Sequence, residues 1–312
     1  MKYSNCFGKK SSRILLGTAY FGDGISENDA FKIMDSYTAF GGSHIDTARL
    51  YADGAAEEIV GKWLKSRGRK DILVSTKGAY YDYDAGEAPR LTKKDIEYDL
   101  DKSLKALNLD VIDNYWLHMD DENTPVSDII DIMNSFVRSG KIKSFGASNW
   151  RWQRIKEANR YATENSLMPF TASQLRFNPA YCLGERGGLV GMESDAFSFY
   201  KENNMPVVAY SSQAKGFFSK MDKYGVAGLS EKAKKRYYCD ENLRRLRILK
   251  ALSEKYNCSI ASVITAAFSS FSVPEVFSVI GTGKLSQLHD TMNGHNITVA
   301  DTELAEIFGY NI

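Results

Sequence analysis

In the stretch GGSHIDTARLY, residues 41 to 51, a carboxylate and a phenol stand five residues apart, where a short apolar run gives way to a loop. The acid is Asp46 and the phenol is Tyr51. Two further ionisable side chains close later apolar runs, Lys77 in STKG and His118 in YWLHMDD. Together the four suit the addition of hydride to a carbonyl carbon, because the alkoxide that develops must receive a proton. Free tyrosine titrates near 10 and gives up its proton reluctantly at neutral pH. A neighbouring ammonium favours phenolate and lowers that value, and a carboxylate beside the lysine keeps it charged and in place. A neutral histidine can donate a hydrogen bond to the carbonyl oxygen and fix the substrate. The scheme needs no metal. The histidines at 44, 118, 289 and 295 include no pair at ligand spacing, so no metal site is expected.

Alone, each of these residues has a plainer reading. Asp46 or Thr47 could cap a helix, and Lys77 could be a solvated strand end. His118 could be a structural histidine satisfied by backbone, and Tyr210 could be core. Tyr80, Tyr81 and Tyr83 could belong to an ordinary half-exposed loop. The chemical reading depends on the four groups meeting at one rim, and that depends on the fold.

Short β-type runs alternate with longer amphipathic segments along the chain. The strands are expected at 13–17, 43–46, 71–77, 111–118, 143–148, 170–175, 206–211 and 276–282. Helical patterns fall near 27–39, 55–66, 93–107, 126–138, 151–165, 191–203, 241–256 and 284–293. In KKDIEYDLDKSLKAL, for example, Ile96, Leu100, Leu104 and Leu107 recur at helical spacing, and Thr92 with Asp95 gives a capping signal. Strict alternation implies parallel strands joined by helical crossovers. Eight such units predict an α/β fold, a closed (β/α)8 TIM barrel forming one domain over 1–312. Residues 212–240 make a long segment between the seventh strand and the seventh helix, of the kind that forms a lid or binding loop. Residues 299–309 add a C-terminal helix. Active sites in such barrels lie at the C-terminal ends of the strands. That rule selects Asp46, Tyr51, Lys77 and His118, together with Ser148, Asn149, Gln174, Tyr210, Ser211 and the GTGK turn at 281–284.

Composition removes other classes. With 40 basic and 39 acidic residues the net charge is +1, whereas a nucleic-acid binder needs an excess of phosphate-neutralising side chains. Cys6, Cys182, Cys239 and Cys258 are scattered, which fits reduced thiols rather than a disulfide framework or zinc cluster. No apolar h-region marks the N-terminus and no run of 18 apolar residues occurs, so a soluble cytoplasmic protein without membrane partners is expected. GTGK lacks the remaining residues of a P-loop, and the GDG at 22–24 lacks the rest of a dinucleotide fingerprint. No oligomeric state follows from the sequence.

The chain resembles the aldo-keto reductase superfamily, NAD(P)H-dependent reductases built on a (β/α)8 barrel. The resemblance runs in order through LGTAYFG (16–22), DTARLY (46–51), EEIVGKWL (57–64), STKG (75–78), SLKALNLDVIDNYWLH (103–118), GKIKSFGASNW (140–150), SQLRFNP (173–179), VVAYSSQAKG (207–216) and SVIGTGKLSQL (278–288). It implies that Asp46, Tyr51, Lys77 and His118 are the catalytic tetrad. It also implies that Ser148, Asn149 and Gln174 hold a nicotinamide carboxamide, that Tyr210 stacks on its ring, and that the loop from Ser211 through Gln213 to Gly216 covers the pyrophosphate. Gly281, Gly283, Lys284 and Gln287 would meet the adenosine end, and Gly17 and Thr18, with Asp46, would complete the cofactor contacts.

The departures from the family pattern bear on specificity. Ser212 replaces a usual proline. Gly281-Thr282-Gly283-Lys284 replaces Pro-Gly-x-Arg, so a 2′-phosphate would meet lysine, a point charge, in place of the planar arginine fork. Asp290 and Thr291 stand near the adenine contacts. NADPH is the expected cofactor, with NADH possible. Met119-Asp120-Asp121 follows the histidine. Tyr81, Trp116, Met119 and Trp150 are expected to line the substrate pocket, with Tyr80, Tyr83 and Trp152 near the rim. Aromatic walls suit aryl carbonyls or sugar rings as small-molecule substrates. The alternative is a nucleotide-binding regulatory or channel-associated subunit in which catalysis is secondary.

Overall fold

A computed structural model describes the whole chain apart from residues 6, 82–87 and 185–187. Tyr83 and Cys6, singled out above, lie outside the described residues. A short antiparallel hairpin, β1 (Tyr3–Ser4) with β2 (Ser11–Ser12), precedes the barrel. Eight parallel strands follow: β3 (Ile14–Gly17), β4 (His44–Asp46), β5 (Leu73–Gly78), β6 (Ile112–Leu117), β7 (Ile142–Ser148), β8 (Ser173–Arg176), β9 (Val207–Tyr210) and β10 (Val276–Ile280). They pair in chain order, and β10 closes the ring by pairing with both β9 and β3. This is the expected (β/α)8 barrel.

The barrel interior is apolar at its lower end. Phe7, Leu15, Leu73, Trp116, Ala172, Val208 and Phe277 form a separate buried cluster there. Trp116 was expected to line a substrate pocket. Instead it is fully buried, edge-on to Phe7 with ring centroids 6.2 Å apart. Side chains alternate along a strand, and the period turns Trp116 inward. Gly146 on the next strand leaves the room, since a Cβ there would lie 2.3 Å from the indole.

The helices around the barrel follow the sequence pattern closely. They are α1 (Glu27–Ala39), α2 (Ala55–Arg67), α3 (Lys93–Leu107), α4 (Val126–Arg138), α5 (Trp152–Glu164) and α6 (Ser194–Glu202). Thr92 caps α3 as expected, its hydroxyl accepting the Asp95 amide at 3.2 Å. Past β9 the chain departs from expectation. The long segment holds two helices of its own, α7 (Phe217–Tyr224) and α8 (Glu231–Tyr237), followed by α9 (Asp240–Lys255). The helix that packs on β10 is α10 (Ile260–Ser270), and α9 lies outside it, against α10 and α12 (Asp301–Phe308). The helix expected at 241–256 is therefore not the seventh crossover helix of the barrel. In α10 every residue from Ile260 to Ser269 is buried. A helix covered on all sides shows no polar face and so gives no amphipathic period to read. Finally, α11 (Leu285–Met292) follows β10.

A buried histidine on β4 makes stability depend on pH. His44 is fully buried, with Nδ1 2.8 Å from the Ser11 hydroxyl and Nε2 against the Ser75 hydroxyl. Burial holds its pKa down to about 3; Asp113 opposes that shift and Lys77 adds to it. The unfolded chain takes up this proton near pH 6.5, whereas the folded chain does so only near the lowered value. Stability is thus complete above the unfolded value and falls on acidification through the window between the two. The slope is about 1.4 kcal/mol per pH unit per histidine. His44 should therefore contribute a loss of about 2 kcal/mol to urea-unfolding stability between pH 7 and pH 5, beside that of any other histidine buried neutral. His44→Gln should flatten this dependence by about one proton; an unchanged slope in that variant would remove His44 as the cause.

Candidate active site

The C-terminal rim of the barrel gathers the four residues that opened the sequence reading. Lys77, at the end of β5, is 1% exposed and Asp46, at the end of β4, is 2% exposed. The Lys77 ammonium donates to Asp46 Oδ2 at 2.6 Å, to the Thr47 carbonyl at 2.8 Å and to the Tyr51 hydroxyl at 3.4 Å. The other Asp46 oxygen accepts from Gln174 Nε2 on β8 at 3.0 Å. Every polar atom of the buried pair thus has a partner, as a buried charge requires. Burial alone would depress the Lys77 pKa, but Asp46 and Tyr51 outweigh it and hold the ammonium above its usual value.

Tyr51 sits on a single tight turn, Tyr51–Gly54, in which Ala52 and Asp53 take left-handed backbone angles (φ 49° and 53°). That conformation is uncommon for residues with a side chain and persists only where its surroundings impose it. The imposing group is Arg49. Its guanidinium donates to Glu57 Oε2 at 2.8 Å and, from the other nitrogen, to the Asp53 carbonyl of the turn. Glu57, fully buried at the start of α2, also accepts from the Thr76 hydroxyl at 2.6 Å. Gly54 has to be glycine, because a Cβ there would fall 1.6 Å from Arg49 Nη2 and its φ is +97°. Neither Arg49 nor Glu57 was singled out from the sequence. The signal was available only as an arginine eight residues before an acid, an ordinary surface spacing.

Burial pushes the Tyr51 phenol above its usual value, and Lys77 pulls it back only in part. The lowering expected from the ammonium is therefore present but is the smaller effect, so Tyr51 carries its proton at neutral pH. His118, at the end of β6, faces Tyr51 edge-on at 6.3 Å and Tyr80 at 4.8 Å. Its Nδ1 is buried with no hydrogen-bond partner. Burial, and then Lys77, hold its pKa well below the ordinary histidine value, so the ring is neutral and can donate one hydrogen bond.

A cavity of about 1030 Å³ runs from these residues across the rim. Asp46, Tyr51, Lys77 and His118 line one part of it, beside Gly17, Thr18, Ser148, Asn149, Gln174 and Tyr210. Tyr210 donates to Asn149 Oδ1 at 2.7 Å, and Asn149 Nδ2 donates to the His118 carbonyl at 3.1 Å. The outer part is lined by Ser211, Gln213, Gly216, Gly281, Gly283 and Gln287, with Asp290 and Thr291 beyond. Lys284 is exposed at the N-cap of α11 and stands outside the cavity wall, although its neighbours line it. A dinucleotide fits this donor set: amide side chains at one end, a helix N-terminus at the other. Between them are cations on the β9–α9 insert, Lys215, Lys220, Lys223, Lys232 and Arg236. The sequence reading treated that insert as a lid or binding loop, with Ser211 to Gly216 over the pyrophosphate, and singled out none of these five.

The expected pocket walls are partly corrected. Tyr81 lines a second, smaller cavity of about 220 Å³ beside His118, and its hydroxyl donates to the Asp120 carbonyl at 3.2 Å. Tyr80 borders both cavities. Trp116, Met119 and Trp150 line neither. Met119 is 3% exposed, and Trp150 is fully buried between Phe170 and the Arg154 guanidinium. Trp152 stacks on Phe199 of α6 and donates to Asp195, away from the rim. Aromatic residues beside a strand end read alike in sequence whether they point into a cavity or under a helix. Among the described residues no cluster of His, Cys, Asp and Glu could hold a metal ion, and no helix is long and apolar enough to cross a membrane.

Comparison with known proteins agrees with this fold. The model of the aldo/keto reductase family matches residues 13–311. Norsolorinic acid reductase A of Aspergillus parasiticus is 28% identical, over 96% of this chain and 78% of its own length. An aryl-alcohol dehydrogenase of Pestalotiopsis microspora is 26% identical, over 89% of this chain and 71% of its own. A probable voltage-gated potassium channel subunit beta of Oryza sativa subsp. japonica is 29% identical, over 95% and 92%. In fold, the chain is similar to the crystal structure of a thermostable aldo-keto reductase in complex with the inhibitor epalrestat, with TM-score 0.74, 22% identity and 99% of each chain covered.

Proposed function

From the premise that the chain belongs to the aldo/keto reductase family and is an oxidoreductase, we propose that it reduces an aldehyde or ketone with NADPH, NADH being the alternative donor. The observation that carries this reading is the Lys77 ammonium bonded at once to Asp46, to the Thr47 carbonyl and to the Tyr51 hydroxyl. A reduced nicotinamide, held by Ser148, Asn149, Gln174 and Tyr210, would supply the hydride. Neutral His118 donates a hydrogen bond to the substrate oxygen and orients the carbonyl. Tyr51 gives its proton to the oxygen as negative charge develops there. Lys77 stabilises the phenolate that remains, and Asp46 keeps Lys77 charged and aimed. Support for NADPH over NADH comes from Lys284 beside the turn that would meet the ribose.

Tyr80, Tyr51 and Tyr20 on the cavity wall suit a planar substrate, so aryl carbonyls are the proposed class, with sugar carbonyls second. Similarity to the channel subunit is no greater in kind than similarity to the reductases. A set of groups fit for proton transfer favours catalysis over a purely regulatory role. The test is NADPH oxidation at 340 nm over a panel of aryl aldehydes, aryl ketones and aldoses, with NADH in parallel. Turnover should be seen, fastest on aryl carbonyls. Because His118 stays neutral, the rate should show no acid limb near pH 6.5, where an ordinary histidine titrates. Tight NADPH binding with no oxidation on any member would overturn the reading.

A further inference from the structure

Three of the four histidines have a ring nitrogen in a hydrogen bond. His44 bonds the Ser11 and Ser75 hydroxyls, His289 the Ser36 hydroxyl and His295 the Met292 carbonyl. His118 differs. Its backbone is fixed, the N–H donating to the Gly78 carbonyl at 2.9 Å and the carbonyl accepting from Asn149, but its ring bonds no group among the described residues. A histidine that presents one nitrogen to a substrate or metal is ordinarily oriented through the other, by a bond to a carbonyl or carboxylate. Here Nδ1 is buried and unpartnered, so no such bond sets the ring. An N–H on Nδ1 would be a buried donor without an acceptor, so the neutral ring carries its proton on Nε2. The residue itself lines both cavities.

What stands against the imidazole is another ring. Tyr80 is edge-on to it, with centroids 4.8 Å apart and planes at 69°, closer than Tyr51 at 6.3 Å. Edge-to-face ring pairs at about 4.5–7 Å are attractive and directional. The backbone is bent to bring Tyr80 there. Ala79, 1% exposed, takes a left-handed angle, φ 58°, which is uncommon for a residue with a side chain. Asp99 of α3, 4% exposed, holds this bend by accepting the Ala79 N–H at 2.9 Å. Arg90 in turn fixes Asp99 through both terminal nitrogens, at 2.9 and 3.0 Å. On the other side of Tyr80, the Tyr81 ring packs on it at 5.8 Å and the Tyr81 hydroxyl donates to the Asp120 carbonyl, two residues beyond His118. A bend of this kind persists only where the surroundings impose it, and here the residue it aims is Tyr80.

We propose that Tyr80 is a positioning residue for His118: its ring replaces the absent hydrogen bond and holds the imidazole where Nε2 meets the oxygen of a bound carbonyl. The role rests on the reductase reading, because it acts through the carbonyl that His118 orients. It is distinct from serving as an aromatic wall. A wall aids the binding of an aryl group. A residue that aims His118 aids the chemical step for any carbonyl, and only while His118 is present.

The experiment uses the full chain and the variants Tyr80→Ala, Tyr80→Phe, His118→Ala and Tyr80→Ala/His118→Ala. Tyr80 is half-buried, so its removal leaves the barrel core intact. Single-turnover rates are read with prebound NADPH on benzaldehyde and on propanal, which is too small to lean on an aromatic wall. Tyr80→Ala should slow both aldehydes by about tenfold. Tyr80→Phe, which keeps the ring edge, should return the rate to within about threefold of the wild type. In the His118→Ala background, Tyr80→Ala should add less than about twofold to the loss. A loss confined to benzaldehyde, equal in Tyr80→Phe, or undiminished without His118 would overturn the proposal. The ring itself is read by nuclear magnetic resonance on protein whose histidines carry carbon-13 at Cε1. The His118 signal is the one missing from His118→Ala; it should be single in the wild type and broadened or split in Tyr80→Ala. An unchanged signal in Tyr80→Ala would also overturn the proposal. Absence of turnover on either aldehyde would overturn the reductase reading instead and leave the resonance to decide whether Tyr80 aims the ring.

Discussion

Tyr51→Phe will lower the rate of carbonyl reduction by about 10³-fold and leave the NADPH dissociation constant within about twofold of the wild type. The substitution removes one oxygen from the cavity wall and keeps the ring that packs there. Its neighbours are poor substitutes as donors. Lys77 is held above its usual pKa by Asp46, and His118 is neutral with a pKa well below the ordinary range. Neither gives up a proton to an alkoxide as readily as a phenol 3.4 Å from an ammonium. Single-turnover measurement with a prebound cofactor separates the chemical step from binding. If the variant keeps more than about a tenth of the wild-type rate, Tyr51 is not the donor and the proton comes from elsewhere.

Lys77→Met will cut the rate by about 10²- to 10⁴-fold and will also destabilise the fold by about 3–5 kcal/mol. The two effects have different origins. Activity falls because the phenolate loses its stabilising charge. Stability falls because Asp46, 2% exposed, is left as an uncompensated buried anion with Gln174 as its remaining side-chain partner. The double variant Asp46→Asn/Lys77→Met separates them. Taking away the orphaned charge should return most of the stability and none of the rate. Urea unfolding of the wild type, the single and the double variant, each assayed in parallel, makes the comparison. A double variant no more stable than Lys77→Met would mean that the ion pair does not carry the stability assigned to it.

The sequence made the barrel legible because its signals are local. Every strand of the ring lies within or beside an expected apolar run, and α1, α3 and α4 begin and end at the expected residues. The positions of Asp46, Lys77, His118 and Gln174 followed from one topological fact, that parallel strands present their C-terminal ends to one rim. What stayed hidden depended on contacts between distant segments. α10 escaped because burial on every side erases the polar face that marks a helix, and α9, which is amphipathic, stood in for it. Trp116 and Trp150 were read as walls because residue type and strand position do not say which way a ring turns. The direction of the Tyr51 shift needed the balance between burial and one ammonium, and that balance exists only once the cavity is formed.

The tether beneath Tyr51 has a mechanical meaning. Thr76 and Lys77 are consecutive residues of β5. One reaches the turn through Glu57 and Arg49, and the other touches the phenol directly. The phenol and the ammonium beside it are thus both referenced to a single strand of the ring. A displacement of the neighbouring loops should therefore alter the gap between the phenol and the ammonium less than it alters the distance of either from those loops.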